Sequence, residues 1–319
     1  MTLKEKYKDY FKVGVAVNEE TIVSHKDIIT EHFNSITCEN AMKYNDLCDE
    51  HGNYHCEKAD LIYEFAKENN LAIRGHNFVW HQAIPTSTLE KMQKEELLER
   101  ITEHIQKVAM RYPNIYCWDV VNEAISDDKE SYWRETVWYK VLGEDYIDTI
   151  FRIAREAVPT TSKLYYNDYN EFDSIKSDKI YTLIKHALDR GVPIEGLGCQ
   201  CHINISQPSV DTYRRALEKY AKLGVRLQIT EMDVSIYSSR DMKVENMTGR
   251  EIEAQAKVYA DYFKLFREYH EIIDAVTLWG VADDATWLDN FPVKNRKDAP
   301  LLFGVDHEPK EALLRIMDF

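Results

Sequence analysis

The chain lacks most of the short signatures that settle a function at once. No stretch approaches 18 consecutive apolar residues, so no membrane-spanning helix is expected. The start, "MTLKEKYKDYFKVGVAV", has no apolar core between a basic head and a small-residue cleavage site, which leads us to expect a cytoplasmic protein. There is no surplus of positive charge: the net charge is −15, which argues against a nucleic-acid partner, since polyanions require a basic footprint. The six cysteines form no CxxC pair, so a zinc or disulfide framework is not expected, and reduced, buried thiols are. GxGxxG, phosphate-loop, GxSxG and HExxH patterns are all missing. No cofactor and no catalytic metal are therefore expected. No Pro/Gly/Ser-rich linker divides the 319 residues, and we expect a single domain over 1–319 with no separate carbohydrate-binding module.

What is present is an alternation. Eight apolar, β-branched or aromatic stretches lie near 10–17, 35–40, 71–80, 115–123, 163–170, 196–203, 226–234 and 275–281. Helix-like runs lie between and after them. In 58–69, Leu61, Ile62, Phe65 and Ala66 make one stripe; in 94–112, Leu97, Leu98, Ile101, Ile105 and Val108 recur at helical spacing. Further helices are expected over 209–224, which opens on Ser209 and stops at Gly224, and over 251–271 and 309–317. Eight strand–helix units in one domain of this length predict an α/β fold, the closed (β/α)₈ TIM barrel, rather than an open doubly wound sheet.

A barrel places its active site at the C-terminal ends of its strands. Those ends carry Glu39, Asn40, His76, Trp80, His81, Asn122, Glu123, Tyr169, Asn170, Gln200, His202, Glu231, Asp233 and Trp279. Carboxylates, amides, imidazoles and indoles concentrated in one place suit a carbohydrate cleft. Two carboxyls can cleave a glycosidic bond, one as acid and the other as nucleophile or base. "DVVNEA" (119–124) and "ITEMDV" (229–234) put Glu123 and Glu231 at the ends of the fourth and seventh strands, opposite one another across the mouth. Alternation puts Glu231 and Asp233 on one face, and Gln200 and His202 on one face with Cys199 and Cys201 on the other. His202 can then bridge Glu231 and Asp233. Asn122 and Glu123 are adjacent, so both reach a substrate only where regular pleating has ended. Trp80, Trp279 and Trp287 offer flat faces for sugar rings.

These segments resemble the endo-β-1,4-xylanases of glycoside hydrolase family 10. The resemblance runs in order through "TCENAMK" (37–43), "RGHNFVWH" (74–81), "WDVVNEA" (118–124), "YNDYN" (166–170), "GLGCQCHI" (196–203), "ITEMDVSIY" (229–237) and "VTLWGVADDATWL" (276–288), with "PVKNRKDAPLLF" (292–303) as a closing loop. It implies a retaining hydrolase of xylan or xylooligosaccharides with Glu123 as acid/base and Glu231 as nucleophile, helped by Asn122, His202 and Asp233. It further implies that Glu39, Asn40, Lys43, His76, Trp80, His81, Gln200, Trp279 and Trp287 hold the non-reducing-side sugars. Tyr169 and Asn170 would meet the leaving-group side, and Trp287 would exclude a hydroxymethyl group. One departure stands out. The family's sugar-binding Gln after the Trp–His pair is replaced by Ala83, with Gln82 beside it, which predicts weaker binding two sugars from the cleavage point.

Overall fold

The computed structural model describes residues 1–239, 241–242 and 248–319. Its strands are β1 (Lys12–Val17), β2 (Ser35–Cys38), β3 (Ala72–Trp80), β4 (Ile115–Asn122), β5 (Lys163–Asp168), β6 (Gly196–Cys199), β7 (His202–Asn204), β8 (Arg226–Ser235) and β9 (Ile273–Leu278). All pairings between them are parallel, and β1 joins β9 while β6 joins β8, so the sheet closes on itself. Eight strands close the barrel. The short β7 pairs only with β8 and continues the line of β6 after a break at Gln200–Cys201. The expected sixth strand is therefore two pieces, because Cys201 takes a left-handed backbone (φ 62°) that no strand accommodates.

Helices at Glu57–Glu68, Lys94–Arg111, Val210–Ala221, Gly249–Glu268 and Glu311–Met317 match the predicted runs closely. Ser209 caps its helix by accepting a hydrogen bond from the Thr212 amide at 3.2 Å, and Gly224 stops the chain beyond it with φ 72°. The first stripe is shifted. Leu61 faces solvent, and Ala59, Ile62, Tyr63, Phe65 and Ala66 carry the burial instead. Two long helices, Tyr146–Ala157 and Ser174–Asp189, lie outside the predicted set. Their interiors are rich in Ile, Thr, Tyr and Phe, residues of strand-like local preference that amphipathic packing overrides.

The barrel interior is not wholly apolar. Arg74 on β3 and Asp119 on β4 form a two-pronged ion pair with neither residue exposed, and Arg74 Nε also donates to Gln228 Oε1 of β8 at 3.1 Å. Such a pair is stable only when its remaining donors and acceptors are satisfied. Here His76 Nδ1 meets the same Asp119 carboxylate at 2.8 Å, which ties the polar interior to the C-terminal ends of the strands.

Candidate active site

Register between neighbouring strands builds the site. Asn122 lies beside Asn167, His76 beside Asp119, Trp80 beside Asn122, and His202 beside Asp233. Register shifts occur in β3 between His76 and Val79, in β4 between Asp119 and Val121, and in β8 between Ile229 and Met232. Irregularities of this kind re-aim side chains at the ends of strands. The expected loss of pleating at Asn122–Glu123 is present: β4 ends at Asn122, and Glu123 adopts φ 58°. That turn brings both side chains into one cavity.

The cavity has a volume of about 400 Å³. Of the predicted residues it is lined by Glu39, Asn40, Lys43, His76, Trp80, Asn122, Glu123, Tyr169, Gln200, His202, Glu231, Trp279 and Trp287. Gln82, Asn290 and Phe291 complete the wall. Phe291 stacks on Trp287, with ring centroids 5.2 Å apart. Asp233, His81 and Asn170 are not part of the lining. Asp233 works from behind: it accepts from Trp287 Nε1 at 2.8 Å and contacts His202 Nδ1 at 3.0 Å. Asn170 donates to Asp127 at 3.3 Å, and Tyr169 donates its hydroxyl to the same carboxylate. Ala83 is buried, while Gln82 is exposed at the cavity, so the amide on hand for a sugar is that of Gln82.

The two glutamates are held very differently. Glu123 accepts from Trp80 Nε1 at 2.8 Å, from Gln200 Nε2 at 3.0 Å and from Asn122 Nδ2 at 3.2 Å. Burial pushes its carboxyl up, the Asp168 charge adds to this, and Glu231 contributes less; the Gln200 and Trp80 bonds only partly offset them. A proton is therefore retained above the ordinary carboxylate range. Glu231 is as buried, and burial pushes it up too. The bond from His202, the electrostatic influence of His76 and His202, and the bond from Asn167 outweigh burial and hold it down at about 2. Its His202 contact is 3.3 Å and its Asn167 contact 2.7 Å. Burial opposes a charge on His202, but Asp233 and Glu231 raise it to about 10, so it is a cation beside Glu231 at neutral pH. The two carboxyls are pushed in opposite directions, Glu123 up and Glu231 down. That split is the requirement for acid and nucleophile to coexist in one site.

Asn167 was missed from sequence, although it lies inside a quoted segment. Its Nδ2 donates to Glu231 and, at 2.8 Å, to Asn122 Oδ1, while its Oδ1 accepts from Thr230 at 2.7 Å. A chain of two amides thus links the two carboxyls. Strand alternation, which puts Asn167 and Tyr169 on one face, was the available signal. Arg134 was also missed: its Nε donates to the Glu123 carbonyl at 3.0 Å and holds that residue's backbone. Lys43 donates to Asn40 at 2.8 Å and lies 4.7 Å from the Trp80 ring centre, with burial lowering it against the pull of Glu231 and Glu39. Glu39 in turn accepts from Asn18 at 3.2 Å. His76, His81 and His202 do not converge as metal ligands. Among the described residues, only His25, Asp284 and His307 bring three such ligand atoms together, and none of them lines the cavity.

A parallel barrel whose one cavity holds two glutamates with oppositely shifted pKa values has the make-up of a glycoside hydrolase. The chain belongs to glycosyl hydrolase family 10, whose family model matches residues 2–319. It is 46% identical to endo-1,4-beta-xylanase A of Caldicellulosiruptor saccharolyticus, with 100% of this chain and 96% of that protein covered. The structure of xylanase XynB from Paenibacillus barcinonensis complexed with a conduramine derivative is similar with a TM-score of 0.95 at 43% identity, covering 99% of this chain and 98% of that one. A mutant structure in complex with xylotriose matches with a TM-score of 0.96 at 43% identity over 100% of both chains.

Proposed function

We propose that this chain is a retaining endo-1,4-β-xylanase that cleaves xylan or xylooligosaccharides by double displacement. The observation that carries the reading is the opposed tuning of two glutamates joined through Asn122 and Asn167. In the first step Glu231 attacks the anomeric carbon as Glu123 gives its proton to the glycosidic oxygen. The carbon–oxygen bond to the leaving sugar breaks, and a glycosyl ester forms on Glu231. In the second step Glu123, now ionised, takes a proton from water as that water attacks the same carbon. The ester bond breaks, Glu231 leaves as a carboxylate, and Glu123 is again protonated. Two inversions give net retention. Esterification removes the Glu231 charge and lowers the Glu123 pKa for its role as base. Asp168, the larger charge influence on Glu123, is untouched by esterification.

Asn122 serves the sugar 2-hydroxyl, Trp279 and Trp287 pack against sugar rings, and Trp287 excludes the hydroxymethyl group that distinguishes glucose from xylose. The stacked Trp287–Phe291 pair and the Trp287–Asp233 bond support that role by holding the indole still. The test is kcat/KM on aryl xylobioside against aryl cellobioside, with Glu231→Ala as blank. A strong xylobioside preference abolished in the variant supports the proposal. Equal rates or a cellobioside preference would replace the substrate assignment, and full activity in Glu231→Ala would overturn the nucleophile assignment. No helix among the described residues is long and apolar enough to cross a membrane. All six cysteines are free, with Cys38, Cys48, Cys117, Cys199 and Cys201 buried, which suits a reducing cytoplasm. Activity found mainly in the medium on cell fractionation would refute that location.

A further inference from the structure

The group formed by His25, Asp284 and His307 plays no part in the reaction above. His25 follows the helix Thr21–Ser24 on the β1 side of the barrel and is almost fully buried. Asp284 belongs to the short turn Asp283–Ala285 beyond β9. His307 lies in the loop between Phe303 and Pro309, with a left-handed backbone (φ 67°). Three segments remote in sequence meet here.

The Ser24 hydroxyl lies 3.0 Å from the Glu20 carbonyl and 2.7 Å from His25 Nδ1. On the other side of that ring, His25 Nε2 lies 2.9 Å from Asp284 Oδ1. The other Asp284 oxygen meets His307 Nε2 at 3.1 Å. The two imidazole rings lie 4.1 Å apart between centroids, so one carboxylate and two imidazole nitrogens converge on a single small volume.

We propose that His25, Asp284 and His307 form a binding site for a divalent transition-metal ion of the zinc type. The donor set is two imidazole nitrogens and one carboxylate oxygen, with all three ligand atoms within 4.8 Å of one another. Zinc takes nitrogen at about 2.0–2.1 Å and carboxylate oxygen at about 2.0–2.2 Å, so a tetrahedral site spaces its ligand atoms by about 3.3 Å. The contacts from Asp284 to His25 and His307, at 2.9 and 3.1 Å, need to open by only a few tenths of an ångström. The Ser24 contact on His25 Nδ1 is the kind of outer bond that fixes the tautomer of a metal-binding histidine. Asp284 and His307 are partly exposed, which gives an ion a way in and leaves the fourth position to water. Magnesium and calcium, which prefer all-oxygen sites, fit this donor set poorly. The bound ion staples the turn between Trp279 and Trp287 to the β1 side of the barrel.

The test uses the purified full chain, freed of metal by chelation, and titrated calorimetrically with zinc chloride. One equivalent bound, an affinity loss of about tenfold or more in His307→Gln, and no response to magnesium chloride are expected. His307 is chosen because it is partly exposed, whereas replacing buried His25 risks the fold. Cobalt chloride supplies a second readout: a visible spectrum of a tetrahedral nitrogen–oxygen site, absent in the variant. Absence of zinc binding, equal affinity in His307→Gln, or a cobalt–thiolate band reporting cysteine ligands would each overturn the proposal.

Discussion

The Trp80→Phe substitution probes how Glu123, the proposed acid, is tuned. It keeps an aromatic face beside Lys43 and removes one atom that matters, the Nε1–H that donates to Glu123 Oε2 at 2.8 Å. That bond favours the ionised carboxyl, so losing it raises the Glu123 pKa. A hydrogen bond to a charged group contributes about 1.5–3 kcal/mol, and one pKa unit corresponds to about 1.36 kcal/mol. Glu123 is nearly fully buried, so little of this is screened away. The expected shift is about 1–2 units upward. With Glu123 as the proposed acid, the alkaline limb of kcat/KM reports loss of its proton in the free enzyme, so that limb moves to higher pH by that amount. The assay uses phenyl xylobioside, whose poor leaving group needs the proton. On a dinitrophenyl xylobioside, which leaves without help, the second step becomes limiting, because less Glu123 is ionised at neutral pH to activate water. An alkaline limb that stays in place or moves down in Trp80→Phe would refute this account of the acid.

Glu231, the proposed nucleophile, and a buried carboxyl elsewhere in the chain give two further tests. In His202→Gln a neutral amide replaces the cation beside Glu231; the Glu231 pKa rises from about 2, the acid limb of kcat/KM moves up by about 1–2 units, and neutral activity falls by about 10–100-fold. An unmoved acid limb with full activity would show that His202 does not tune Glu231. Glu171 is fully buried and its carboxyl is raised to about 7, mainly by burial. Its folded pKa exceeds the unfolded value of about 4.5, so the folded chain holds the extra proton between those values. Stability from this group is full below about pH 4.5 and is lost as pH rises to about 7, by about 3 kcal/mol at most. Thermal unfolding of Glu171→Gln across that window should show a flatter pH dependence than the parent, and an identical slope would refute the assignment.

Much of this was legible in the sequence because the signals were local and periodic. All eight barrel strands show as apolar stretches, and the strand-end argument located Glu123 and Glu231 without any pairwise contact being known. Alternation alone predicted that His202 would sit between Glu231 and Asp233, and it does. The missed features depend on cross-strand register or on loops that return from a distance. Asn167 matters because β4 and β5 pair Asn122 with Asn167, which no single strand reveals. Arg134 reaches Glu123 from a loop closed by the bridge between Ile125 and Trp133. Leu61 looked buried because three neighbours at helical spacing are buried, yet the helix rotates that position outward. Periodicity gives a face, and its exact edges are set by packing.

The left-handed residues explain how one strand end delivers two side chains to the same place. Glu123, Asn170 and Cys201 follow β4, β5 and β6 and have φ between 52° and 62°. Outside glycine that backbone costs about 1–2 kcal/mol, and each instance is held by bonds from outside its own strand. Glu123 donates its amide to Asn167 O at 2.9 Å and has its carbonyl gripped by Arg134. Cys201 donates its amide to Glu171 Oε1 at 3.0 Å, and the Asn170 carbonyl accepts from the Asp173 amide at 2.9 Å. A regular strand would alternate Asn122 and Glu123 to opposite faces, and would keep Gln200 and His202 aligned in one row. Broken at these points, the chain turns Asn122 and Glu123 inward together and lets Gln200 reach Glu123 while His202 reaches Glu231. The strain is therefore placed where it converts strand ends into a site with two carboxyls in different surroundings. Arg134 and Glu171, both outside the cavity lining, hold two of these breaks in place through the Glu123 carbonyl and the Cys201 amide.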